Sequence, residues 1–279
     1  MRGMRLCLGL VDGIGLTDRE QIALLKKIGF DGFFCGWAPG YDLSEMRRAA
    51  EEEGMIFQSV HAPFSKMAAM WKERAETEEA VQELIDCVRA CAENGVDLMV
   101  AHPFIGFEDH EPTEFGLANY GKVVREAANL GVKVAFENVE GEEYLFALMD
   151  AFRDEPNVGF CWDTGHQMCY NPGTDMMARY GDRLMGTHLN DNLGVRDEGG
   201  VITWLDDLHL LPFDGIADWK EIVSKISRSG FSGPLTFELG VISKPDRHEN
   251  DPYRKMDAVD YLHEVYKRAC RVGAMALRA

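Results

Sequence analysis

Apolar and polar positions along this chain follow two alternating rhythms. Charged, amphipathic stretches with helical spacing run into a glycine, and an almost continuous apolar run follows. The junction occurs as KKIG-FDGFF, EEEG-MIFQSV, AENG-VDLMVAH, ANLG-VKVAFEN and SRSG-FSGPLTFE, with Gly29, Gly54, Gly95, Gly131 and Gly230 at the breaks. A glycine just past a helix accepts the left-handed conformation that stops it, so each junction reads as helix, stop, strand. Residues 78–94 place Val81, Leu84, Ile85, Val88, Cys91 and Ala92 on one helical face. Residues 258–272 do the same with Val259, Leu262, Val265, Tyr266, Ala269 and Val272. Thr17-Asp18-Arg19-Glu20 has the form of a capping box, and Asp218 stands where a helix cap is needed before Trp219.

Strands are expected near 5–11, 31–36, 55–61, 97–102, 132–137, 158–163, 184–189 and 234–239. Their apolar runs do not alternate, as for parallel strands covered on both faces. Eight strands alternating with helices predict an α/β protein, a single (β/α)8 TIM barrel over residues 1–279. A doubly wound open sheet fits less well, because no GxGxxG or phosphate-binding loop follows a strand. Residues 190–216, rich in Gly and Asp, read as a long functional loop.

Composition narrows the partners. Hydrophobic residues make up 46% of the chain, enough for a substantial core. Lys plus Arg number 29 against 47 Asp plus Glu, a formal charge of −18, which opposes the basic footprint of a nucleic-acid binder. Seven cysteines form no CxxC pair, so a thiolate zinc site is not expected; Cys87 and Cys91 fall on an apolar helix face. The first apolar run stops at Asp12, too short for a signal peptide, and nothing approaches the roughly 18 apolar residues of a membrane span. A cytoplasmic setting with no membrane partner is the expectation. Monomer and homo-oligomer are both open.

Candidate chemistry collects at the strand ends, where a barrel builds its site. The ends read SVHAP (His61), VAHPF (His102), AFEN (Glu137), WDTGH (Asp163, His166), GTHLND (His188, Asp191) and TFELG (Glu238), and the long loop adds Asp207 and His209. Singly, each has an ordinary structural explanation: a hydrogen-bonded histidine, or a carboxylate capping a turn. Together, carboxylates and imidazoles on one rim are the donor set of a divalent cation. Trp37, Phe64, Trp71, Phe104 and Phe107 follow strands two to four and could stack on a ring or simply pack loops. Strand alternation should turn Trp162 away from the side bearing Asp163. Lys244 and Arg247 are the close basic pair available to a phosphate.

FEN, WDTGH, THLND and FEL, in this order and spacing, resemble the xylose isomerase-like TIM-barrel superfamily over nearly the whole chain. That group includes sugar and sugar-phosphate isomerases and epimerases, inosose dehydratases and type IV apurinic endonucleases. Resemblance to the ketose 3-epimerase branch implies one divalent metal (Mn2+, Zn2+, Mg2+ or Co2+) on Glu137, Asp163, His188 and Glu238. It also implies proton transfer by Glu137 and Glu238 and substrate contacts from Glu143 and His166. The arginine of that branch six residues after His188 is Gly194 here, and Arg196 is the substitute at hand. Resemblance to the endonuclease branch implies up to three zinc ions, with matching residue types at His61, His102, Glu137, Asp163, His166, His188, Asp207, His209 and Glu238. Acidity, including Asp197, Glu198, Asp206 and Asp207 in the long loop, ranks a small sugar or sugar phosphate above DNA as the partner. A polyol dehydratase and a non-catalytic binding barrel remain alternatives.

Overall fold

The apolar runs pair side by side in sequence order. The computed structural model describes residues 4–108 and 110–278. Its strands are β1 (Leu6–Gly9), β2 (Gly32–Gly36), β3 (Ile56–His61), β4 (Leu98–Ala101), β5 (Lys133–Glu137), β6 (Val158–Asp163), β7 (Leu184–His188) and β8 (Leu235–Phe237). Each lies parallel to its neighbour, and β8 pairs with β1. Leu189 closes the ring on Phe237: its N–H donates to Thr236 O at 2.8 Å, and Glu238 N–H donates to Leu189 O at 3.3 Å. This is the expected (β/α)8 barrel, with all eight strands within a few residues of their expected positions.

The helices are α1 (Asp18–Ile28), α2 (Leu43–Glu53), α3 (Thr77–Glu93), α4 (Glu114–Leu130), α5 (Glu142–Ala151), α6 (Thr164–Cys169), α7 (Met176–Tyr180), α8 (Trp219–Arg228), α9 (Asp251–Arg254) and α10 (Ala258–Ala276). Local chemistry sets their ends. Thr17 and Glu20 form the capping box, with Glu20 Oε2 accepting from Thr17 N at 2.8 Å. Asp218 caps α8 by accepting from Lys220 N and Glu221 N, both at 3.1 Å. Gly54 and Gly131 sit at φ 61° and 72°, where a β-carbon would be strained, and end α2 and α4. The face of α10 is rotated slightly from the expected one. Tyr261 is buried and Val259 exposed, because Tyr261, Val265, Ala269 and Val272 continue the stripe that meets the barrel.

Two apolar layers result. The large one lies between strands and helices and takes Phe33, Phe136, Phe160 and Trp162. The small one fills the barrel interior with Leu98, Val100, Ala135 and Cys161. Strand alternation therefore does turn Trp162 outward and leaves Cys161 and Asp163 facing inward. Among the described residues no helix is long and apolar enough to cross a membrane.

Trp71 belongs to this packing. It is buried against Tyr120 and Tyr144, and its Nε1–H donates to Pro103 O at 2.7 Å. A β-carbon on Gly116 of α4 would lie 2.1 Å from Trp71 Cε3. In an open helix, Gly→Ala gains about 1 kcal/mol. Here overpacking costs about 1–3 kcal/mol and wins. Gly116→Ala is therefore expected to lower the urea midpoint; a raised midpoint would show that the Trp71 contact is slack.

Candidate metal centre and active site

Six strand ends and one loop aim their polar side chains at a single point on the barrel mouth. Glu137, fully buried at the end of β5, lies at its middle. His188 Nδ1 approaches Glu137 Oε1 at 2.8 Å and Glu238 Oε2 at 3.0 Å. On the other side, His61 Nε2 and His102 Nε2 stand 3.3 and 3.4 Å from Glu137 Oε2. Asp207 Oδ1 faces His166 Nε2 at 3.6 Å and His209 Nε2 at 3.5 Å. His209 sits on the loop after β7 with φ 48°, a left-handed conformation that turns its ring inward.

Asp163 serves two neighbours at once. Its Oδ1 accepts from His166 N at 2.7 Å and caps α6, while Oδ2 accepts from Asn190 Nδ2 at 2.9 Å. Asn138 holds the same strand end by a paired contact: it accepts from Asp163 N and donates to Asp163 O, both at 2.9 Å. A β-carbon on Gly165 would fall 1.9 Å from Asn190 Oδ1, so the glycine of WDTGH gives that asparagine its room. Inside the barrel, Phe34 stacks on the His188 ring with centroids 4.6 Å apart.

Hydrogen bonding sets the imidazole tautomers. His61 Nδ1 donates to Ala62 O at 2.8 Å and His166 Nδ1 donates to Asn138 O at 3.0 Å. In the neutral rings, each Nε2 lone pair then faces a carboxylate oxygen, acceptor against acceptor. His209 Nε2 and Asp207 Oδ1 are buried with no hydrogen-bond partner among the described residues. Only a proton or a cation between them satisfies such a set.

Protonation is the answer when no cation is present. Burial pulls the His188 and His166 imidazoliums down, but Glu238 and Glu137 around the first, and Asp163 and Asp207 around the second, hold both pKa values well above the usual one. Burial alone would raise the Glu137 carboxyl, yet the His188 charge and the bonds from the surrounding imidazoles keep it well below its usual range. Asp163, pushed up by burial, reaches about 6.

The ligand atoms of Glu137, Asp163, His188 and Glu238 all lie within 4.8 Å of one another, and so do those of His61, His102 and Glu137 and those of Asp163, His166 and His209. All nine strand-end and loop candidates are thus brought together, and the donor set fits a divalent cation. Cys161 Sγ also falls beside Glu137 and His188, at a position that no CxxC spacing marks. Burial and the nearby carboxylates raise its pKa well above the usual value, so it stays a thiol.

Two residues expected at the substrate are not brought to the cluster. Glu143 pairs with His110 at 2.9 Å, and Glu140, three residues earlier, faces the cavity instead, accepting from Gly106 N at 2.8 Å. The turn at Gly141 starts α5 there and carries Glu143 onto the outer side of the loop. Arg196 is exposed beside Asp197 and Glu198, away from the cluster, because Asp206 ties its backbone N–H to the far part of the loop at 3.1 Å. Asp191 is a loop anchor: it accepts from Phe213 N, Ala217 N and Trp219 Nε1. Arg247 is buried against Glu249, whereas Lys244 reaches the cavity. Trp37 and Phe104 pack against the core, and Phe64 and Phe107 line the cavity. Tyr170, stacked on His166 at 5.1 Å, and Trp204 were not singled out in the sequence, since no polar motif marks them.

A barrel with a convergent acid–imidazole cluster at the C-terminal ends of its strands defines a class, and sequence comparison gives the family. A family model described as xylose isomerase-like TIM barrel matches residues 22–261, and the chain belongs to that family. The uncharacterised protein y4fM of Sinorhizobium fredii is 28% identical, the match covering 86% of each chain. Among solved structures, IolI with a bound zinc atom matches 97% of this chain and 98% of its own at TM-score 0.76 and 18% identity. D-psicose 3-epimerase from Clostridium cellulolyticum H10, solved with D-tagatose, matches 98% and 99% at TM-score 0.73 and 16% identity. The chain spans 42% of one longer match, a xylose isomerase-like TIM barrel/4-hydroxyphenylpyruvate dioxygenase fusion protein.

Imidazoles and carboxylates bind a cation only after losing their protons, so the two compete. Calorimetric loading of the metal-free protein near pH 7, in buffers of different ionisation enthalpy, is expected to register proton release. Affinity should then fall by about tenfold per pH unit for each proton displaced. Loading without proton release would place the cation elsewhere.

Proposed function

We propose that the protein is a divalent-metal-dependent sugar isomerase or epimerase that moves a proton on the carbon beside a carbonyl. The observation that carries this reading is the pair Glu137 and Glu238 set on either side of His188 Nδ1, at 2.8 and 3.0 Å, under an open cavity. The metal-ligand geometry and the epimerase and IolI neighbours support it.

Glu137, Asp163, His188 and Glu238 are the residues to hold the ion, one of Mn2+, Zn2+, Mg2+ or Co2+. A cation bound there supplies positive charge that polarises a sugar carbonyl and makes the neighbouring C–H more acidic. The two glutamates are not equivalent. Glu238 has a quarter of its side chain exposed toward the cavity, while Glu137 has none and is held by three imidazoles. Glu238 is therefore the residue to take the proton, through the oxygen not turned to His188. Glu137 is chiefly a ligand, and it returns a proton only to the ring face that lies against the barrel floor. His166, fixed by Asn138 and Asp163, orients a hydroxyl.

Solvent deuterium entering a ketose at the carbon beside its carbonyl reads this step directly. Glu238→Gln is expected to slow exchange by about 10²–10⁴-fold per bound metal. Glu137→Gln should lose metal and exchange together. If both variants bind metal and exchange at the wild-type rate, the two-glutamate scheme is wrong.

A second reading is supported by the ligand groups flanking the central one, His61 with His102 and Glu137, and Asp163 with His166 and His209. They make room for a multinuclear zinc site that cleaves abasic DNA. The charge of −18 weighs against it. Zinc-loaded protein is expected to leave an abasic-site duplex intact; nicking that disappears in His209→Ala would reverse the order of the two readings.

A further inference from the structure

We propose that the substrate is a neutral two-ring sugar, a disaccharide whose reducing unit lies over the cluster while its second ring rests on an outer aromatic wall. This rests on the sugar-isomerase reading above.

Size is the first argument. The cavity over His61, His102, His166 and Glu238 has a volume of about 510 Å³. A lobe of about 350 Å³ joins it on the β1–β2–β8 side, sharing His61, Phe64, His209 and Glu238. A single hexose fills roughly 200 Å³ at interior packing density, so one ring leaves most of the space to water.

The wall has two tiers. Phe64 stacks on His102 at 4.6 Å and Tyr170 on His166 at 5.1 Å, so these rings frame a unit held at the cluster. Farther out, Phe107 touches Tyr170 edge-on at 5.8 Å, and Trp204 lies beneath Lys244 Nζ at 5.5 Å. Phe64, Phe107 and Trp204 remain 42%, 38% and 52% exposed although all three line the cavity, and among the described residues Phe107 and Trp204 make no ring contact with a histidine of the cluster. Flat aromatic surface left open beside a polar site suits the C–H face of a second sugar ring.

Charge excludes a phosphate as the extra group. Among the described residues lining both lobes, Lys244 is the one lysine or arginine, and Asp207 Oδ2 already holds it at 3.4 Å. Asp12 and Glu140 line the same space and would repel an anion.

Metal-loaded protein, assayed by solvent deuterium exchange, tests this with maltulose, lactulose and palatinose against D-fructose, D-psicose, D-tagatose and fructose 6-phosphate. At least one disaccharide is expected to exceed every free ketose by about tenfold in kcat/KM. Trp204→Ala should remove that advantage through KM, with kcat and the free ketoses unaffected. Calorimetric binding to the Glu238→Gln chain should give the same order without turnover. A free ketose or the phosphate matching the best disaccharide, or Trp204→Ala slowing all substrates alike, overturns the inference while leaving the sugar-isomerase reading intact. No exchange into any sugar overturns both.

Discussion

Four carboxylates cannot share the floor of a barrel mouth unless positive charge stands among them. Glu137, Asp163, Asp207 and Glu238 are drawn to one place by the parallel strands and the loop after β7, and desolvation penalises each ionised form. Five imidazoles answer them. Without a cation, protons on His166 and His188 balance much of the charge, and the surrounding carboxylates are why these two hold theirs so firmly. Much of the surrounding structure keeps these groups from moving apart: the Asn138–Asp163 pairing, the Asn190 bond, and the Phe34 stack against His188.

That constraint also explains the division of labour along the chain. Strand interiors supply the apolar layers, and strand ends supply charge, because the barrel interior above Cys161 and Ala135 opens to the loops. The long loop after β7 would be too mobile to aim Asp207 and His209 by itself. Asp191 ties it down through backbone and indole N–H groups, and Leu210 bridges back to Asp191 at 2.8 and 2.9 Å. The loop is thus held by a polar network of its own, beside the cluster that makes the site.

Most of the architecture was legible in sequence, for a physical reason. Glycine stops, caps such as Thr17 and Asp218, and apolar runs are local signals, and local signals survive folding. The motifs also gave the gathering of the nine polar residues, since strand ends in a barrel necessarily meet. WDTGH offers a choice between turn chemistry and a ligand; the fold has Asp163 cap α6 and also sets its carboxylate among the atoms that could hold an ion. What sequence could not supply depends on side-chain direction. The family resemblance implies Glu143 at the substrate, yet one turn of chain at Gly141 sends it to His110 and leaves Glu140 on the cavity. Tyr170 and Trp204 carry no motif, and of the two roles open to Trp71, ring stacking or packing, its burial against Gly116 selects packing.

If this cluster is built around a divalent ion, as proposed, the metal content of the purified chain shows it most directly. Elemental mass spectrometry, paired with melting before and after chelation, is the measurement. At least one divalent ion per chain, and a melting temperature that falls on chelation and recovers on reloading, is the expected result. A chain that purifies without metal, and whose melting temperature no divalent ion moves, would contradict it.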